Sequence, residues 1–125
     1  SEIAAIAEKS LKEVTYHLER SSDTVIALGD GTEESHMRMQ AGLDRLWPYV
    51  GEMFLTDEHD LIDVAALRPA FAALTNNVLG TATLAIPTDN FTHKGGKTGA
   101  RHTEHLGHMI ATMQFLPRAY PDAKW

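Results

Sequence analysis

The chain contains no cysteine, which excludes a disulfide framework, a thiolate metal site and a cysteine nucleophile. It has no basic excess either. Eleven Lys and Arg against 17 Asp and Glu leave a formal net charge of −6, whereas a general nucleic-acid binder shows a basic balance. No apolar run approaches the roughly 18 residues of a membrane span, and no signal-peptide pattern opens the sequence. The expectation is a soluble, cytoplasmic chain without nucleic-acid or membrane partners. Internal repeats, low-complexity stretches and convincing strand patterns are also lacking. What is present is 125 residues, 43% of them apolar. That is enough for one domain with a modest core, and too apolar for a disordered chain.

Four segments carry helical periodicity. The first spans residues 3–28, with Ile3, Ala7, Leu11, Val14, Leu18, Val25 and Leu28 at the three-and-four spacing of one face. Gly29 and Gly31 end it. The second spans 32–54 on Met37, Leu43, Leu46, Trp47, Val50 and Phe54, with Pro48 expected to kink it. After the acidic linker "TDEHDLID" comes a third, 64–86, on Leu67, Phe71, Leu74, Val78 and Ala85, stopped by Pro87. The irregular segment "PTDNFTHKGGKTGARH" leads to a fourth, 102–116, on Leu106, Met109, Met113 and Leu116. The class is all-α.

Glu33 and His36 form a Glu-x-x-His step, the spacing that di-iron carboxylate proteins use on facing helices. Glu13 and His17 on the first helix are spaced Glu-x-x-x-His instead. The two pairs cannot share a level. A tight turn at 29–31 makes an antiparallel hairpin, and at about 1.5 Å per residue Glu13 lies roughly 22 Å from that turn. Glu33 lies within the first turn after it. Asp30 followed by Glu33 reads instead as a variant capping box. Glu13 and His17 read as an i, i+4 surface pair, or as the remnant of a ligand set completed outside this chain.

"HTEHLGH" is the densest ionisable cluster, with His102, His105 and His108 spread over about a third of the helix circumference. Two of them suit zinc, but Glu104 at a positive helix end favours a polar helix start. "GGKTG" matches the end of a phosphate loop, yet the first glycine of that motif would fall on Phe91 and no strand precedes it. Lys94, Lys97 and Arg101 form either a solvated basic loop or a contact for an anion, such as a coenzyme A phosphate or a partner's carboxylate.

Taken together, "KEVTYHL", "LGDGTEESHMRMQAGLDRLWPYVGEMF", "GGKTGARHTEHLGHMIATMQFL" and "RAYPDAKW" resemble the C-terminal half of the PaaC-type structural subunits of 1,2-phenylacetyl-CoA epoxidase, from bacterial aerobic phenylacetate catabolism. The resemblance covers essentially the whole chain in order. It implies a ferritin-like helical bundle, of which residues 1–125 are the C-terminal part, the N-terminal half being absent. The opening "SEIAAIAEKSLKEV", which enters a helix without an initiator Met, agrees with a piece of a longer chain or a trimmed tag.

The resemblance further implies a non-catalytic subunit that supports a catalytic di-iron sister subunit, with no cofactor or metal of its own. Glu13 and His17 would then be degenerate di-iron ligands. Lys94, Lys97, Arg101, His102, Glu104 and His105 are the candidate partner contacts, and homo-oligomerisation is expected. The alternatives are a ferritin-like di-iron oxygenase or metal-binding protein in its own right, and a self-associating helical module.

Overall fold

A computed structural model describes residues 1–88, 92–97, 99 and 101–124. The described residues are helical or irregular, with no strand among them. Ser1 caps the first helix, its hydroxyl accepting from the Ala4 amide at 3.3 Å, and α1 then runs over Glu2–Gly29. This is the sequence expectation extended by one residue at each end.

The second helix starts differently from its expected capping. Asp30 closes α1, its N–H donating to the Ile26 carbonyl at 2.9 Å. The N-cap of α2 (Glu33–Leu46) is Thr32, whose hydroxyl accepts from the Ser35 amide at 3.2 Å. The box on Asp30 and Glu33 is therefore corrected to a Thr32 cap, with Glu33 and Glu34 lying in the positive first turn. Nor does α2 reach Phe54. Pro48 has no N–H for the Asp44 carbonyl, so the α-helix ends at Leu46 and a tighter 3₁₀ stretch covers Trp47–Phe54.

The third helix is shorter than its apolar pattern. Asp63 opens this segment by accepting from the Ala65 and Ala66 amides at 3.1 and 3.3 Å, a 3₁₀ turn follows at Ala65–Leu67, and α3 spans Arg68–Thr81. It stops five residues before the expected end at Ile86. The Leu84 amide donates to the Leu79 carbonyl at 2.9 Å and the Thr83 amide to the Gly80 carbonyl at 3.2 Å. Thr83 stands at φ 58. That is a Schellman ending with threonine in the left-handed position usually given to glycine.

The same turn makes the core. Leu79, Ala82 and Leu84 are buried, and Val25 and Ile26 of α1, Met39 and Leu43 of α2, and Trp47 pack around them. Gly29 must be glycine, because a β-carbon there would stand 2.6 Å from the Ala82 carbonyl oxygen.

The expected fourth helix divides into α4 (Glu104–Met113) and α5 (Phe115–Ala119). Pro117 cannot donate to the Met113 carbonyl, so the helix restarts rather than running through. Away from this core much apolar surface is uncovered: Ile6 is 65% exposed, Leu11 63%, Met113 71% and Phe115 66%. The total accessible surface is 10245 Å². A compact monomer of 13.8 kDa exposes only about 6,600 Å² by the usual size scaling.

Candidate functional site

Glu13 and His17 lie on an open stretch of α1. The imidazole Nε2 stands 3.1 Å from the Glu13 carboxylate, and the two side chains are 73% (Glu13) and 66% (His17) exposed. They are a surface i, i+4 pair. His36, by contrast, is half-buried and committed to the backbone. Its Nδ1 lies 2.7 Å from the Gly29 carbonyl oxygen, which also accepts from the Thr83 hydroxyl at 3.4 Å. A carbonyl only accepts, so Nδ1 carries the proton. Helix ends leave carbonyls without partners, and His36 satisfies one at the end of α1. Glu33 is exposed to solvent. Two carboxylate–histidine sets at one level are what a di-iron centre requires. Among the described residues no three His, Asp or Glu side chains gather as metal ligands. The two pairs here do not fit such a centre between them.

The same face of α2 holds the segment after α3. The Gln40 amide nitrogen donates to the Ala85 carbonyl at 2.9 Å, and its oxygen accepts from the Ala85 amide at 2.9 Å. Asp44 orients Gln40 by accepting from the same nitrogen at 2.8 Å.

The most heavily bonded cluster joins two segments that the sequence separates by some forty positions. Glu52, in the 3₁₀ stretch, accepts from the Gly96 amide, from the Lys97 amide at 3.1 Å and from His93 Nδ1 at 3.0 Å. Its side chain is 13% exposed. Lys97 Nζ donates to Asp60 at 2.7 and 2.9 Å and to the Leu55 carbonyl at 2.6 Å, with Asp57 at 3.9 Å. His93 adds a backbone bond to the Pro48 carbonyl at 2.8 Å and packs its ring on Tyr49, centroids 5.0 Å apart. Gly95 adopts φ +104, and a β-carbon on Gly96 would come within 2.8 Å of the Glu52 carboxylate. The paired glycines are therefore required, one for conformation and one for space.

The loop's amides do cradle an anion, in the manner of a backbone nest. The anion is the chain's own Glu52. The His93 hydrogen bond foremost holds the Glu52 carboxyl below its ordinary value; desolvation comes next and opposes it, and the Lys97 amide, the Gly96 amide and the His93 charge each add a lesser lowering. Asp60 is likewise lowered, first by the Lys97 hydrogen bond and next by the Asp57 amide.

Of the six candidate contact residues, Lys97 is half-buried in this cluster, while Lys94, Arg101, His102, Glu104 and His105 lie outside it. The Arg101 amide donates to the Gly95 carbonyl at 3.1 Å. His105 and His108 lie on α4 and His102 just before its cap, all three exposed. Phe91 and Thr98, the two ends of the phosphate-loop pattern, lie outside the described residues. Sequence reasoning missed Glu52, Asp60 and His93. The one signal was an acidic linker and a basic loop, with nothing to say that they meet.

These contacts define an all-α chain with a small three-way core, an internally braced loop and long uncovered helix faces. A family model described as "Phenylacetic acid catabolic protein" matches residues 1–125, and the chain belongs to that family. It is 39% identical over 132 residues to a component of the 1,2-phenylacetyl-CoA epoxidase of Escherichia coli (strain K12), the one designated C among its subunits. That match covers 99% of this chain and 53% of the relative. The chain thus spans about half the length of the curated relative it matches. No helix among the described residues is long and apolar enough to cross a membrane.

Proposed function

We propose that this chain is the C-terminal part of a non-catalytic, structural subunit of a multicomponent phenylacetyl-CoA epoxidase. The whole subunit holds and stabilises a catalytic di-iron partner, and the ring 1,2-epoxidation of phenylacetyl-CoA takes place in that partner. The observation that carries the reading is the match to the Escherichia coli epoxidase component over 99% of the chain. The exposed surface supports it. It exceeds that of a compact monomer by roughly 3,600 Å², of the order that large obligate interfaces cover. The assembly works in the cytoplasm, and its cofactor is the partner's. Lys94, Arg101, His102, Glu104 and His105 contact the partner directly, and Lys97 contributes by holding the loop that carries Lys94.

The test is to purify the full-length subunit without chelator, alone and together with the catalytic partner. A stable complex is expected, with iron accompanying the catalytic partner. Iron near about two per chain in the subunit alone, the content of a complete di-iron site, overturns the reading in favour of an oxygenase in its own right. Glu13 and His17 would then return to the ligand set.

A further inference from the structure

Among the described residues, every hydrogen bond and ion pair between residues 92–124 and residues 1–88 is made by His93, Gly96 or Lys97. All of them end on the short stretch from Pro48 to Asp60. The core around Leu79, Ala82 and Leu84 draws its packing from α1, α2, α3 and Trp47, and nothing from α4 or α5. The C-terminal helices are therefore not placed by the core.

We propose that the Glu52 and Asp60 carboxylates are a two-point clasp that fixes the direction in which α4 and α5 leave the core. Breaking the clasp uncouples those helices while the core stays folded. This goes beyond the assignment to an epoxidase assembly and does not depend on it.

The clasp has two separable halves. Glu52 faces His93 and the amides of Gly96 and Lys97, and its bonds fix the backbone of the loop. Asp60 faces Lys97, with Asp57 and His59 on its own segment, and its bonds fix the side chain. The Leu55 carbonyl completes the ammonium's partners. The two halves meet at Lys97, whose amide belongs to one and whose ammonium belongs to the other. Each half joins an ionised group to fixed donors, the stronger kind of hydrogen bond, so loss of either is felt at the loop. Outside the two halves, the loop's polar anchor on residues 1–88 among the described residues is the single backbone bond from the His93 amide to the Pro48 carbonyl at 2.8 Å. The clasp therefore sets the local opening of the loop, as distinct from global unfolding.

Two variants of the protein test this: Glu52→Ala, and Lys97→Met, which keeps the aliphatic stem. Hydrogen exchange is read at the amides of Gly96 and Lys97 and at the core amides of Leu43 and Leu79. Spin labels on Asn76→Cys in α3 and Ala111→Cys in α4 report the separation of the helices. Either variant is expected to speed loop exchange about ten-fold, the usual effect of losing charge-assisted bonds. The core amides should keep their protection, and the label distance distribution should broaden. Unchanged loop exchange with an unbroadened distance overturns the proposal. So does parallel loss of protection in loop and core, which would make the cluster part of global stability. Should Glu52→Ala fail to fold, Lys97→Met decides alone.

Discussion

His36 shows how one side chain can close a helix and a turn together. Its Nδ1 donates to the Gly29 carbonyl at 2.7 Å, and Thr83, left-handed at φ 58, brings its hydroxyl to the same oxygen. Neutral His36 is therefore expected as the Nδ1–H tautomer. Nitrogen-15 chemical shifts showing the Nε2–H form would contradict this geometry. The glycines give a pair of opposite predictions. Gly29→Ala puts a β-carbon 2.6 Å from the Ala82 carbonyl oxygen and 2.8 Å from the Ala82 β-carbon. No rotamer relieves a contact with backbone, so a loss of about 1–3 kcal/mol is expected in denaturant unfolding. Gly42 lies within α2, where an added β-carbon meets nothing within 4 Å. Gly42→Ala should stabilise by about 0.5–1 kcal/mol through helix propensity alone. Equal signs for the two changes would mean that the junction is not packed as described.

At the scale of elements, prolines and one turn set the boundaries, and charge sets the loop. Pro48 and Pro117 each interrupt a periodic apolar pattern without ending the helical path. The loop depends on ionised carboxylates, and its pH dependence follows. Glu52 and Asp60 both titrate below their ordinary values of 4.5 and 3.8. A carboxylate lowered by folding contributes its stabilisation fully above the unfolded value and loses it as pH falls through the folded one. Loop protection should therefore be constant from neutral pH down to about 4.5 and decline only below that. Hydrogen exchange at the Gly96 and Lys97 amides, corrected for the intrinsic pH dependence of exchange, checks the expectation across that range. Release of the loop between about pH 7 and 5, with the core still folded, would show that Glu52 and Asp60 are not its anchors.

For the molecule as a whole, surface is the dominant fact. Among the described residues Leu79, Ala82 and Leu84 make a small core, and the apolar positions of α1 from Ile3 to Leu18 are largely exposed. Contiguous apolar surface of this extent drives association. Residues 1–125 expressed alone are therefore expected to form dimers or larger species. Light scattering over a dilution series that returns a folded monomer throughout would contradict this. On the proposed function, co-expression with the proposed catalytic partner should suppress the self-association, because that partner would cover the same faces.

Periodicity and composition alone determined the helical class, the four periodic segments and the polarity of the loops, since apolar spacing at three and four residues is a local property. The expectation that the Glu13 and Glu33 pairs stand at different levels rests on helix rise alone, which is fixed whatever the surroundings. Motif resemblance, rather than periodicity, pointed to the family. Tertiary structure decided the rest. The early end of α3 was hidden because Thr83 occupies a position where glycine would have announced the turn, and the partners of its hydroxyl, the Gly29 carbonyl and the His36 ring, are brought to it by the fold. The cap on Thr32 won over Asp30 because Asp30 was already needed to close α1. The clasp was invisible for a related reason. Glu52 and Gly96 are brought together by the fold across 44 positions, and no local rule reports a contact of that separation.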